Sequence, residues 1–211
     1  MTTGTTGRGT AQASHEHINA LRAAQALKDR RRKLRIRIAS ISATLAVIGI
    51  VAAMMLTSQQ QTSSVARVAP DFTLTNTAGA SVSLSAYRGK NVLLYFSEGA
   101  GCEACLVQMS QIEKDPAFAA AGLTVLPIVM NTKDQITADM VTNGVRTPFL
   151  LDDGTVSTAY GTIGKGMHAG LPGHSFVLID KAGNQRWYGE YPSMWLSTTD
   201  LLKEVKAHLA G

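Results

Sequence analysis

Residues 92–121 read VLLYFSEGAGCEACLVQMSQIEKDPAFAAA. The opening VLLYF is a continuous apolar run, the pattern of a strand covered on both faces. From Cys102 onward, Leu106, Met109, Ile112 and Phe118 recur at helical spacing, and Pro116 is expected to kink or break that helix. The only two cysteines among 211 residues fall in CEAC, between the strand and the helix.

That position carries chemistry. The open amides and positive dipole end of a helix stabilise a thiolate, so the first cysteine of such a pair ionises more readily than a free thiol. A thiolate is the nucleophile of disulfide exchange, and a second sulfur one helical turn later can resolve the mixed disulfide. Cys102 is therefore expected to attack and Cys105 to resolve from a buried position. A permanent structural disulfide is the plainer alternative, although so short a loop removes little chain entropy. A structural zinc site needs about four ligands, and no second CxxC or HxxxH accompanies this one.

The rest of residues 69–211 reads as an α/β unit. Residues 72–84, FTLTNTAGASVSL, alternate apolar positions around a turn at Gly79 and predict a hairpin. LTVLPIVM (123–130) predicts a second buried strand, and DQITADMVTNG (134–144) a helix closed by Gly144. TPFLLDDG (147–154), SFVLIDKAGN (175–184) and QRWYGEY (185–191) predict further strands and a turn. STTDLLKEVKAHLAG (197–211) has a Ser/Thr cap, an early acid and a terminal Gly, the marks of an amphipathic helix. Strands alternating with helices imply a central sheet covered by helices.

The N-terminal part has a different character. Residues 1–37 hold nine Lys or Arg against two acids, whereas the whole chain carries a net charge of +5, so the remainder is slightly acidic. A basic surface confined to one end argues against nucleic acid as a partner. Residues 38–56, IASISATLAVIGIVAAMML, contain no charge and have the length a bilayer core requires of a helix. The cation-rich flank places residues 1–37 on the cytoplasmic side, as a partly disordered tail, and the body beyond the membrane. A cleaved signal peptide is the rival reading. Residues 57–68, polar and rich in Gln and Ser, read as a flexible linker.

The combination of APDFTL, AYRGKNVLLYF leading to CEAC, TPFLLDDG with a following AYG, and SFVLIDKAGN resembles the thioredoxin-like superfamily. It is most similar to membrane-anchored TlpA/ResA-type thiol-disulfide oxidoreductases, which merge with the AhpC/TSA group. The resemblance implies a thioredoxin-like α/β fold with a central mixed sheet flanked by helices and an added N-terminal β-hairpin, preceded by one transmembrane helix. It further implies a redox-active Cys102–Cys105 disulfide with no other cofactor, disulfide-bearing client proteins, a membrane electron donor for re-reduction, and a substrate-binding loop with a cis-proline beside the CxxC. Pro172 is the candidate for that proline, with Gly173 standing where the family usually has it. SEGAGC also lacks the Trp common before the first Cys.

Glu103 beside Cys102 opposes thiolate formation and favours a reducing pair, unless it merely suits the helix start. Glu98 is a candidate acid/base aid; Glu190, Trp187 and Trp195 are candidates for the groove, with packing the plainer reading of both tryptophans. Two rival functions remain. Peroxidases of the group place Pro and Thr where this chain has Tyr95 and Gly99, and Arg where it has Gly173. Sco-like copper chaperones would use Cys102, Cys105 and His174 or His168, but usually carry CxxxC.

Overall fold

The computed structural model describes residues 28, 30–53, 61–64, 66–164 and 169–209. They fall into two compact units that divide after Thr57. Most of the basic tail, before residue 28, and His168 lie outside the described residues.

The first unit contains one helix, α1 (Arg30–Ala53), 24 residues long and therefore about 36 Å. Every described residue of it is exposed. Ser40 Oγ donates to the Arg37 carbonyl at 2.9 Å and Thr44 Oγ1 to the Ser40 carbonyl at 3.0 Å, so these two hydroxyls of the apolar stretch are satisfied by the helix itself. Residues 54–56 of the expected span lie outside the described set.

The second unit is built on one sheet. Its strands are β1 (Gln61–Ser63), β2 (Arg67–Val68), β3 (Thr73–Asn76), β4 (Ser81–Ser83), β5 (Asn91–Phe96), β6 (Leu123–Val129), β7 (Leu150–Leu151), β8 (Ser175–Ile179) and β9 (Asn184–Glu190). The spatial order is β1, β9, β8, β5, β6, β7, β3, β4, with β2 also on β9. β5, β6 and β7 run parallel, while β8 and β9 run antiparallel beside β5, which makes the sheet mixed. The expected hairpin is β3–β4, turned at Gly79 with φ +86° and held by Asn76 Oδ1, which accepts from the amides of Ala78 and Ala80.

β5 explains why VLLYF carries no alternation. Leu93 and Tyr95 join one core with residues of α2 (Glu103–Lys114), α4 (Lys133–Thr142) and α6 (Thr198–Leu209); Val92, Leu94 and Phe96 join the other with Val156 and Tyr160 of α5 (Thr155–Tyr160). Both faces are covered, so both sets of side chains are apolar. The predicted break at Pro116 separates α2 from α3 (Pro116–Ala120), whose first turn is capped by Asp115 Oδ1 accepting from the Ala117 amide at 2.9 Å. α4 begins in a capping box formed by Thr132 and Gln135.

Residues 57–68, read as a linker, include β1 and β2. Both lie along β9, pairing Gln61 with Glu190 and Arg67 with Gln185. An uncovered edge strand offers unpaired amides and carbonyls, and a polar segment can satisfy them without burying a side chain. α5 likewise stands in a stretch for which the sequence pattern predicts no element.

Candidate active site

The C-terminal ends of the parallel strands gather the site. β5 ends at Phe96, and the loop Ser97–Gly101 leads directly into α2, with Cys102 as its N-cap. Gly99 and Gly101 take φ of +73° and +87°, values that glycine adopts without strain. At Gly99 the requirement is steric too, because a Cβ there would overlap Asn131 Oδ1 and Val129. Asn131 Oδ1 accepts from the Ala100 amide at 2.9 Å, and Asp139 Oδ2 from the Gly101 amide at 2.8 Å. The loop is thus suspended from the β6–α4 connection and from α4.

Cys102 and Cys105 form a disulfide, their Cα atoms 5.3 Å apart. Cys102 is half-buried, whereas Cys105 is wholly buried. The Cys102 carbonyl accepts from the amides of Cys105 at 3.0 Å and Leu106 at 3.3 Å, which starts α2 at the first cysteine. Glu103 is exposed at the first helical position. Glu98 is buried in the loop before Cys102.

Behind Cys105 lies a pair that sequence spacing does not show. His174, 1% exposed, places Nδ1 3.8 Å from Cys105 Sγ and 3.2 Å from Tyr95 Oη. Tyr95 donates its hydroxyl to the Cys105 carbonyl at 3.1 Å and stacks on Phe176, with ring centroids 4.8 Å apart. Burial pushes the His174 imidazole down to about 4, so the ring is neutral at physiological pH; burial pushes the Tyr95 phenol well above its ordinary value.

Pro172 and Gly173 do lie at this end of the sheet, because Ser175 of β8 pairs with Phe96 of β5. The expected cis-proline is corrected: among the described residues every peptide bond is trans. Pro172 bridges Ile163, while the Gly173 amide donates to the Thr162 carbonyl and the Gly164 amide to the Leu171 carbonyl. This antiparallel pairing carries the chain through Pro172 in an extended course. Glu190 accepts from Tyr188 Oη at 3.1 Å. Trp187 is buried and stacks on His208, as the packing reading expects, while Trp195 is 39% exposed. Although His174 approaches Cys105, no group of three His, Cys, Asp or Glu among the described residues is arranged to hold a metal ion.

The family model described as AhpC/TSA matches residues 65–187, more than half of the chain. The chain belongs to the AhpC/TSA family. A Mycobacterium tuberculosis protein named as a candidate peroxiredoxin is 34% identical over 99 residues, which are 46% of this chain and 63% of that protein. The match therefore spans less than two thirds of that relative's length. The crystal structure of peroxidoxin BcpB from Mycobacterium tuberculosis superposes with a TM-score of 0.55 at 18% identity, covering 68% of this chain and 97% of that one. A solution structure from Bacteroides thetaiotaomicron, described as a candidate protein disulfide isomerase, gives 0.53 at 27% identity, covering 69% and 89%. The AhpC/TSA body thus has the α/β thioredoxin-like fold.

Proposed function

We propose that the chain is a membrane-anchored thiol-disulfide oxidoreductase that reduces protein disulfides outside the cytoplasm. The observation that carries this reading is the asymmetry of the pair: a half-buried Cys102 at the start of a twelve-residue helix, bonded to a wholly buried Cys105. In the reduced protein the helix end favours the Cys102 thiolate. That thiolate attacks a client disulfide and releases one client thiolate. Cys105 then attacks Cys102 Sγ, the second client sulfur leaves, and the disulfide seen here is formed. The reaction needs no cofactor beyond the pair, which a membrane electron donor then re-reduces. Pro172 and Gly173 border the site on the β8 side and are the proposed client-contacting loop.

Anchoring rests on α1, long and apolar enough to cross a bilayer, whose first two turns carry Arg30, Arg31, Arg32, Lys33 and Arg35, cations that hold its start in the cytoplasm. Glu103 adds a negative charge beside Cys102 and favours the reducing direction; its exposure weakens the effect through solvent screening. A measured potential close to about −120 mV, that of a strong oxidant, would contradict the reductase assignment.

A second reading, peroxide reduction, is favoured by the relative named as a peroxiredoxin. Against it, Gly99 offers no hydroxyl, and Tyr95 is committed to the Cys105 carbonyl and His174. The peroxide would lack the polarising donors that such a reaction uses.

Trapping tests the proposal. In the full chain, Cys105→Ala is expected to hold client proteins in mixed disulfides that reductant releases, and Cys102→Ala to hold none. Absence of any mixed disulfide with Cys105→Ala would leave the pair a structural bridge.

A further inference from the structure

We propose that His174 is the catalytic proton acceptor for Cys105, positioned by Tyr95, in the step that resolves the mixed disulfide. This inference rests on the exchange reading above and adds to it the residue that activates the second thiol.

A buried thiol is a poor nucleophile until it loses its proton, and burial in apolar surroundings raises the cost of the thiolate. Cys105 is fully buried, and Leu106 and Met109 of its own helix share its core cluster. Within hydrogen-bonding reach of its sulfur is one imidazole nitrogen, His174 Nδ1, at 3.8 Å. Burial keeps that ring neutral, the form able to accept a proton, and the Cys105 thiolate formed beside it offsets the cost that burial places on the imidazolium.

The surroundings seat the proton on Nδ1. Before transfer the ring hydrogen is on Nε2 and Nδ1 is bare; Tyr95 gives its only hydroxyl hydrogen to the Cys105 carbonyl, so Oη can accept from Nδ1 at 3.2 Å once that nitrogen is protonated. A proton arriving on Nδ1 is then shared between Oη and the new Cys105 thiolate. Edge contacts from Tyr95 and Phe176, with centroids 5.1 and 5.6 Å from the imidazole, fix the ring. The amide of Tyr191 donates to the His174 carbonyl at 2.8 Å and fixes its backbone. The titratable groups around it are Tyr95 on β5, Glu98 in the loop that follows β5, Cys105 on α2, Glu190 at the end of β9 opposite Ser175, and Tyr191 after β9.

The step balances as follows. In the mixed disulfide, the Cys105 S–H proton passes to His174 Nδ1, and Cys105 Sγ forms a bond to Cys102 Sγ. The bond between Cys102 Sγ and the client sulfur breaks, and its electron pair leaves on the client as a thiolate. The imidazolium then returns the proton to that thiolate or to water. Two thiol sulfurs of the protein are oxidised and one client disulfide is reduced.

The test uses the full chain in detergent, reduced and mixed with excess oxidised glutathione, with acid quenching and mass analysis of each species. His174→Gln is expected to accumulate the Cys102–glutathione mixed disulfide, with resolution slowed about 100-fold, as loss of a general base implies. The rate of the first attack by Cys102 is expected to stay within about twofold, which a merely structural defect would not preserve. Tyr95→Phe, which keeps the stack on Phe176, is expected to slow the same second step alone. If both variants resolve at the wild-type rate with no accumulation, the proton-acceptor role is overturned while the exchange reading stands. If the wild-type pair is not oxidised by glutathione at all, the exchange reading falls, and the proposal with it.

Discussion

Asn131 accepts the backbone amide of Ala100 at 2.9 Å, so a side chain at the end of β6 fixes the loop that delivers Cys102 to its helix. The fit is close, since a methyl group at Gly99 would overlap the same Asn131 oxygen, and the backbone there has a φ of +73°. Gly99→Ala is expected to cost about 1–3 kcal/mol from backbone strain, with the overlap adding to it. A lowered urea midpoint at unchanged slope would register the loss. Asn131→Ala, which removes one hydrogen bond, is expected to cost about 1 kcal/mol. In that variant the rate of Cys102 alkylation should change more than global stability does.

Burial of His174 has a consequence for acid stability. Its folded value is about 4 against an ordinary 6.5, so between those values the unfolded chain binds a proton that the folded chain does not. Stability therefore falls as pH drops through that window, by about 1.4 kcal/mol per unit at most and about 3 kcal/mol in all. Thermal unfolding of wild type and His174→Gln at a series of pH values checks this. The variant's melting temperature should fall less steeply between about pH 6.5 and pH 4.

Asp152 is 5% exposed and accepts from the amides of Val156 and Ser157 at 3.0 and 2.8 Å and from Ser157 Oγ at 2.7 Å. It starts α5, whose Val156 and Tyr160 cover one face of β5. Asp152→Ala strands these donors and is expected to cost about 2 kcal/mol. A conservative Asp152→Asn should recover part of it, as read from denaturant midpoints.

The local grammar of the chain made much of this legible. VLLYF announced a doubly covered strand, Gly79 a hairpin, and Pro116 after Asp115 the end of α2. CEAC at a strand-to-helix junction located the pair without any structure. α5 was illegible because Thr155, Ser157 and Thr158 are poor helix formers, and the helix depends on a cap from Asp152 and on packing against the sheet. β1 and β2 were hidden because pairing to an edge strand leaves no apolar alternation in a polar segment. The contact of His174 with Cys105 spans 69 positions of sequence, and only the β5–β8 register brings the two together. Pro172 lies in a separate antiparallel bridge with Ile163, where a resemblance suggested a cis turn.

The pair's preferred oxidant tests the central claim most directly. Reduced full-length protein would be mixed with equal concentrations of hydrogen peroxide or of a disulfide-containing protein such as insulin. The rate of formation of the Cys102–Cys105 disulfide would be followed by alkylation and mass analysis, with Cys102→Ser as the control. Faster oxidation by the protein disulfide, lost in the control, is the expected result. Rapid oxidation by peroxide with little reaction toward the disulfide would contradict it and make the chain a peroxidase.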